Sequence, residues 1–361
     1  MTDQPKCAQR PAPESATTTT SGIRTTELAA PASWTSRDLS ELGQWSFELT
    51  ARHIDELSSA LEKVRRQGVP LLRLTSDHFP LPTLAVDLQR PADTLENGCG
   101  FAVIKGLPVQ QYSESDIKTI FWGLGQHLGV PVSQDAGGHL VTKGRRGNEY
   151  PYRVVPLASR SADGLRFRTG GSDAVALLCT SGGGRRSMAS STAIYNQILR
   201  ERPELIQRMY RPFCFDRHGE HCPEEFPYRS VPLACWFAGR LSIRYARAQL
   251  ESAQRFPEVP RLEPLDVELF DLIDALANSQ ALRVDVAVEA GDIELYNNYH
   301  VLHTHLRPAG HGGMGPGEQY RLWLTLRHGR PLPPDYVWET RTPGEGLGRG
   351  GVSPRDVIAL N

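Results

Sequence analysis

Two neighbouring apolar and polar alternations leave this chain few folds to choose from. In Gly291-Asp-Ile-Glu-Leu-Tyr-Asn-Asn-Tyr-His-Val-Leu-His303-Thr-His305, Ile293 and Leu295 alternate with Glu294 and Tyr296. In Tyr320-Arg321-Leu-Trp-Leu-Thr-Leu326, the leucines alternate with Arg321, Trp323 and Thr325. A period of two predicts consecutive, half-buried β-strands. If the first strand runs on, His303 and His305 share a face. Two imidazoles and the Arg321 guanidinium converging between strands must be solvated, paired or used, because polar groups are costly to bury alone. The plain alternative is a pair of rim histidines at a sheet end.

Composition narrows the partners. With 361 residues, 39% hydrophobic content and a formal charge of −1, the chain can bury a sizeable core and offers no general attraction to nucleic acid or to an anionic membrane. No apolar run approaches a bilayer-spanning length and no signal-peptide pattern opens the sequence, so the expected location is the cytoplasm. The six cysteines are spread without a framework, as reduced thiols are. Cys214, His218, His221 and Cys222 cluster, but their spacing fits no standard zinc pattern, and the interleaved Asp216, Gly219 and Glu220 read as a turn.

Residues 1–33, rich in Thr, Ser, Pro and Ala, are expected to be a disordered leader. Residues 34–330 are expected to form a single domain, and 331–361 a Pro- and Gly-rich tail with little core to offer. Helices are predicted from Ala51 to Arg66, after the capping group Ser113 to Asp116, after Ser190 or Ser191, and across Leu265 to Leu276. Strands are predicted at Cys99 to Gly106, Ala174 to Cys179, Leu241 to Tyr245 and Val284 to Val288, with Gly182 to Arg186 as a loop. Many short strands with inserted helices give a mostly β fold with flanking α-helices, a double-sheet jelly roll.

Several segments carry a family likeness: Gly98-Cys-Gly-Phe-Ala-Val-Ile-Lys-Gly-Leu-Pro108, Trp122-Gly-Leu-Gly-Gln-His-Leu-Gly-Val-Pro131, Ala176-Leu-Leu-Cys179, Ser190-Ser-Thr-Ala-Ile-Tyr-Asn196, Gly291-Asp292, Asn297-Asn298, His303 and Arg321-Leu-Trp-Leu324. Over roughly residues 90 to 330, the chain resembles the Fe(II)/2-oxoglutarate oxygenases of the TauD/TfdA type (taurine dioxygenase-like, clavaminate synthase-like). The resemblance implies a double-stranded β-helix. It also implies a facial triad of two histidines and a carboxylate holding Fe(II), with 2-oxoglutarate as cosubstrate.

The chain departs from that pattern at the triad. Relatives carry a segment like Phe-His-Thr-Asp-Gly-Ser-Asp, whereas this chain has Phe167-Arg168-Thr169-Gly170-Gly171-Ser172-Asp173. Arg168 stands where the first histidine is expected and Gly170 where the carboxylate is. A guanidinium stays charged and has no lone pair to donate, so Arg168 cannot be a ligand. That leaves His303, with Asp173 and His305 as possible substitutes. Arg186 stands where relatives place a small hydroxyl near the cosubstrate, and Arg321 keeps the position of the residue that grips the 2-oxoglutarate carboxylate. A pocket of Arg168, Arg321, His303 and His305 should favour a small anionic metabolite. The leading expectation is therefore a metal-independent, non-oxidative tailoring enzyme with no cofactor, in which His303, Arg168 and His305 do the chemistry and Arg321 and Arg186 bind. The alternatives are a pseudoenzyme that binds a small anion or a protein partner, and an Fe(II)/2-oxoglutarate dioxygenase with a rebuilt site. The substrate and the oligomeric state are not legible.

Overall fold

Every strand near the predicted alternation is walled on both sides by other elements, and that arrangement sets the architecture. The structure is a computed structural model and describes residues 22–42, 45–144, 165–222, 225–304, 318–337, 339–342 and 346–354. In chain order come β1 (Ser46–Glu48), β2 (Phe101–Lys105), β3 (Gly129–Val132), β4 (Val141–Gly144), β5 (Ala174–Cys179) and β6 (Gly183–Ser190). Two hairpins follow, β7 (Pro212–Asp216) with β8 (Tyr228–Pro232) and β9 (Ala234–Phe237) with β10 (Arg240–Ile243). Then come β11 (Arg283–Glu289), β12 (Ile293–Asn297), β13 (Val301–His303) and β14 (Gln319–Leu326), and a tail hairpin of β15 (Glu339–Thr342) and β16 (Gly346–Arg349).

The larger sheet has the order β1-β2-β12-β5-β14-β3, with β4 also on the edge of β14. The smaller one is β11-β6-β13. Side chains from both sheets, including Val103, Val175, Trp323, Met188, Val286 and Val301, meet in one inner core, so the two form the walls of a double-stranded β-helix. Outside the larger sheet, Leu57, Leu61, Ile120 and Leu124 of the helices Ala51–Gln67 and Glu114–Leu128 cover Ala176, Leu178, Leu322 and Leu324. Outside the smaller sheet, Ile194, Ile198, Leu269 and Ile273 of the helices Ser191–Glu201 and Pro264–Asn278 cover Ala189 and Leu302. Each such side chain, fully buried, contributes about 1.5–3 kcal/mol.

The predicted helices form where their caps stand. Thr50 and Ser113 close capping boxes, Ser190 caps the third helix, and Gly68, at φ 61°, ends the first in the left-handed region.

Four expectations need correction. The strand β12 is buried on both faces, not half-buried, because Ile293 and Leu295 meet the outer helices while Glu294 and Tyr296 face inward. Gly183 to Arg186 is the start of β6, not a loop; a Cβ at Gly183 would lie 2.6 Å from the Val288 oxygen, so the glycine is what lets β6 and β11 approach. Of the expected disordered leader, residues 22–33 are placed: Leu28 exchanges hydrogen bonds with Asn196, and Ser190 donates to the Ala32 carbonyl. Residues 1–21 lie outside the described residues. The tail, expected to offer little core, pairs Gly350 with Ser172, and Val352 packs on the inner core.

Candidate functional site

Strand alternation decides which side chains enter the barrel. On β14, Tyr320, Leu322 and Leu324 point to the outer helices, so Gln319, Arg321 and Trp323 point inward. On β12 the inward residues are Glu294 and Tyr296, and on β13 they are Val301 and His303. Register fixes their rows: Glu294 pairs with Leu177, and Leu177 with Arg321. On the opposite wall, Met188 pairs with His303, which places Arg186 and Met188 inward on β6.

Arg168 joins this interior through an antiparallel bridge to His303. The two residues exchange both backbone hydrogen bonds, at 3.1 and 3.0 Å. Directly opposed residues of an antiparallel pair project to the same face, so guanidinium and imidazole lie side by side. The His303 ring stacks on Tyr296, with centroids 4.8 Å apart and planes 15° from parallel. Burial and the neighbouring Glu294 carboxylate push the Tyr296 hydroxyl well above its ordinary range, so it stays a donor.

Two residues along, the Gly170 N–H donates to Asn298 Oδ1 at 2.7 Å, and Asn298 Nδ2 donates to the Ser172 carbonyl. A Cβ at Gly170 would come within 2.8 Å of both amide atoms. The buried Asn298 side chain thus fills the space that a side chain at position 170 would need.

Asp173 is not available as a substitute ligand. It is fully buried and accepts Arg349 Nε at 2.7 Å, Arg349 Nη2 at 2.6 Å, the Tyr299 hydroxyl at 2.7 Å and the Leu326 N–H at 3.1 Å. A carboxylate with four donors is a structural anchor. Arg186 is also committed inside the barrel: its Nε donates to Glu294 Oε1 at 2.8 Å, its Nη1 to the Thr304 carbonyl and its Nη2 to Gln319 Oε1. The Tyr296 hydroxyl also donates to Glu294 Oε1. Arg186 therefore pairs with the protein's own carboxylate, contrary to its expected role as a binding group. Arg321, half-buried, donates from Nε to Gln134 Oε1 at 2.5 Å and lies 5.3 Å over the Trp323 ring. His305 lies outside the described residues. Among the described residues, no three His, Cys, Asp or Glu side chains are grouped to hold a metal ion. Cys214 and Asp216 stand on β7, paired with β8, while residues 217–222 follow the turn reading in the link between the two strands, with the Cys222 thiol directed to the Ser353 and Pro354 carbonyls.

The model of the taurine catabolism dioxygenase TauD, TfdA family matches residues 67–317, from the last residue of the first outer helix to the segment just before β14, and so includes Arg168, Gly170 and His303. The chain belongs to that family. Among similar proteins, the FR-33289 synthase of Streptomyces rubellomurinus (strain ATCC 31215) is 27% identical over 318 residues, covering 83% of this chain and 91% of that protein. A taurine hydroxylase-like protein of Stachybotrys chartarum (strain CBS 109288 / IBT 7711) is 25% identical over 272 residues, covering 71% and 68%. Solved structures share the fold. An asparagine oxygenase in complex with Fe(II), 2S,3S-3-hydroxyasparagine and succinate superposes with a TM-score of 0.54 at 14% identity, over 78% of this chain and 94% of that one. The non-heme iron oxygenase OrfP, in complex with Fe and alpha-ketoglutaric acid, gives 0.52 at 16%, over 77% and 93%. The expected double-stranded β-helix and TauD/TfdA resemblance hold. Among the described residues, no helix is long and apolar enough to cross a membrane.

Sequence reasoning missed three members of the site. Glu294 carried a signal, since a carboxylate on the inward register of a strand needs a buried partner. Asn298 stood among the segments of family likeness but nothing tied it to Gly170, and Arg349 carried no signal: each acts on residues more than a hundred positions away.

Proposed function

We propose that this TauD-family protein is a tailoring enzyme that works without the family's iron, transferring a proton on a small carboxylate-bearing metabolite. One observation carries the reading. The bridge to His303 puts Arg168 on the inner face beside the imidazole, a cation with no lone pair where a metal would need a donor. The rest of the donor set agrees. Gly170 offers no carboxylate and its side-chain space is taken by Asn298, while Asp173 is tied to Arg349. The described residues do not fit Fe(II).

The same residues suit an anion. Arg168 and Arg321 present two guanidiniums inside one barrel, and a guanidinium grips a carboxylate through paired N–H donors. His303, held flat against Tyr296, is the group that takes or returns a proton at the bound metabolite.

The test is to measure Fe(II) binding and 2-oxoglutarate turnover on the full chain, with carboxylate affinity in Arg168→Ala, Arg321→Ala and His303→Ala. The expected outcome is no stoichiometric iron and no succinate formed. Each arginine variant should lose about tenfold or more in carboxylate affinity, the scale of a charged hydrogen bond. His303→Ala should keep the ligand and lose the proton transfer. Iron bound one to one, with succinate produced, would overturn the reading.

A further inference from the structure

The Arg186–Glu294–Gln319 group inside the barrel is incomplete in a specific way. Glu294 is fully buried, and both of its donors, Arg186 Nε and the Tyr296 hydroxyl, go to Oε1. Its Oε2 has no hydrogen-bond partner among the described residues. Gln319, 4% exposed, accepts Arg186 Nη2 on its oxygen, and its Nε2 likewise has no partner there. One guanidinium thus holds a carboxylate and an amide on a shared wall, leaving one lone-pair oxygen and one N–H unanswered. Leaving either buried and unpaired costs about 1–3 kcal/mol, so the pair is suited to a group that answers both.

The chemistry of that group follows from the charges. Arg186 already neutralises Glu294, so a second cation gains little and a second anion meets the carboxylate oxygen. A neutral group with a donor beside an acceptor satisfies both atoms at once, and a primary carboxamide is the simplest. Register supplies the distance. Glu294, Leu177 and Arg321 form one row across β12, β5 and β14, so the Glu294 and Arg321 Cα atoms are about 10 Å apart at ordinary strand spacing. With both side chains reaching inward, a short chain of a few carbons spans them.

We infer that Glu294 Oε2 and Gln319 Nε2 form a subsite for a neutral carboxamide-like group, so that the metabolite carries a carboxylate at the Arg321 end and an amide at the other. This rests on the carboxylate-binding reading above and adds the second end of the substrate.

The experiment compares succinamate with succinate, the same chain with one carboxylate replaced by an amide, by calorimetry on the full chain. Succinamate should bind about tenfold more tightly, because the second carboxylate of succinate faces Glu294. Gln319→Met, which removes the N–H together with the oxygen that accepts Arg186 Nη2, should weaken succinamate about tenfold more than it weakens succinate. Gln319→Glu keeps an acceptor for Arg186 while removing the donor, and should also lose the preference, which covers the case that the methionine variant does not fold. If succinamate and succinate bind equally and neither variant moves them, the two atoms are answered by water alone. The subsite is then overturned while the carboxylate reading stands. If neither probe binds the wild-type chain, both readings fall together.

Discussion

Exchanging a neutral imidazole for a guanidinium at position 168 changes which ligands its neighbours can accept. Because Arg168 and His303 are locked by two backbone hydrogen bonds, neither can move away from the other without breaking the bridge. The paired substitutions Arg168→His and Gly170→Asp have to contend with Asn298. Its amide must turn out of the way, giving up its contacts to the Gly170 N–H and the Ser172 carbonyl. We expect the double variant to bind Fe(II) no better than the wild type, and the triple variant with Asn298→Ala to gain metal, read as iron per chain after anaerobic loading. Tight binding by the double variant would show that Asn298 yields easily. That Arg168 stands at this point of the motif could be read from the sequence, because a motif fixes register. The fate of Asp173 could not, because its partner Arg349 lies 176 residues on and sits in a segment that reads as tail.

Among the elements, the tail hairpin has the most to do with the site for its size. From the end of β16, Arg349 grips Asp173 and donates to the Arg330 carbonyl, and Gly350 and Gly351 bond to the segment that begins two residues after Thr169. Arg168 lies three residues before Gly171, so the tail braces the edge of the site. Removing one partner of a buried ion pair leaves the other charge stranded. Arg349→Ala should destabilise the protein by about 3 kcal/mol, by denaturant midpoint, and weaken carboxylate binding with it, whereas Asp173→Asn with Arg349→Met should recover much of the stability. Equal midpoints for Arg349→Ala and wild type would mean the grip adds nothing. Helices were legible element by element, since caps and apolar spacing are local. The start of β6 was not: a run of glycines and arginines reads as a loop until β11 is seen beside it, with glycine making room and Arg186 finding Glu294.

Across the whole molecule, buried charge is placed where separate elements must be held together, and this gives the fold an acid limit. Sequence patterning could supply the two sheets and their helical covers because it records which faces avoid water. It could not supply the polar ties between them, which depend on pairs far apart in the chain. Asp216 is such a tie. At the end of β7 it accepts hydrogen bonds from the His218 N–H and the Ser252 hydroxyl and pairs with Arg255, joining the hairpin to the helical segment behind it. Burial alone would raise its carboxyl, but the His218 imidazole, the Ser252 hydroxyl and the His218 N–H outweigh burial and hold it down at about 2, against an ordinary value of 3.8. A carboxyl depressed in the folded state stabilises it fully above the unfolded pKa. That contribution fades as pH falls from about 4 and is gone once the folded group is protonated near 2. Asp216→Asn should therefore be less stable than the wild type by about 2 kcal/mol at pH 7, the gap should close between about pH 4 and pH 2, and urea midpoints at stepped pH read it directly. A gap that stays constant down to pH 2 would mean the carboxylate charge is not what ties β7 to its neighbour, and that the shape of the side chain alone does so.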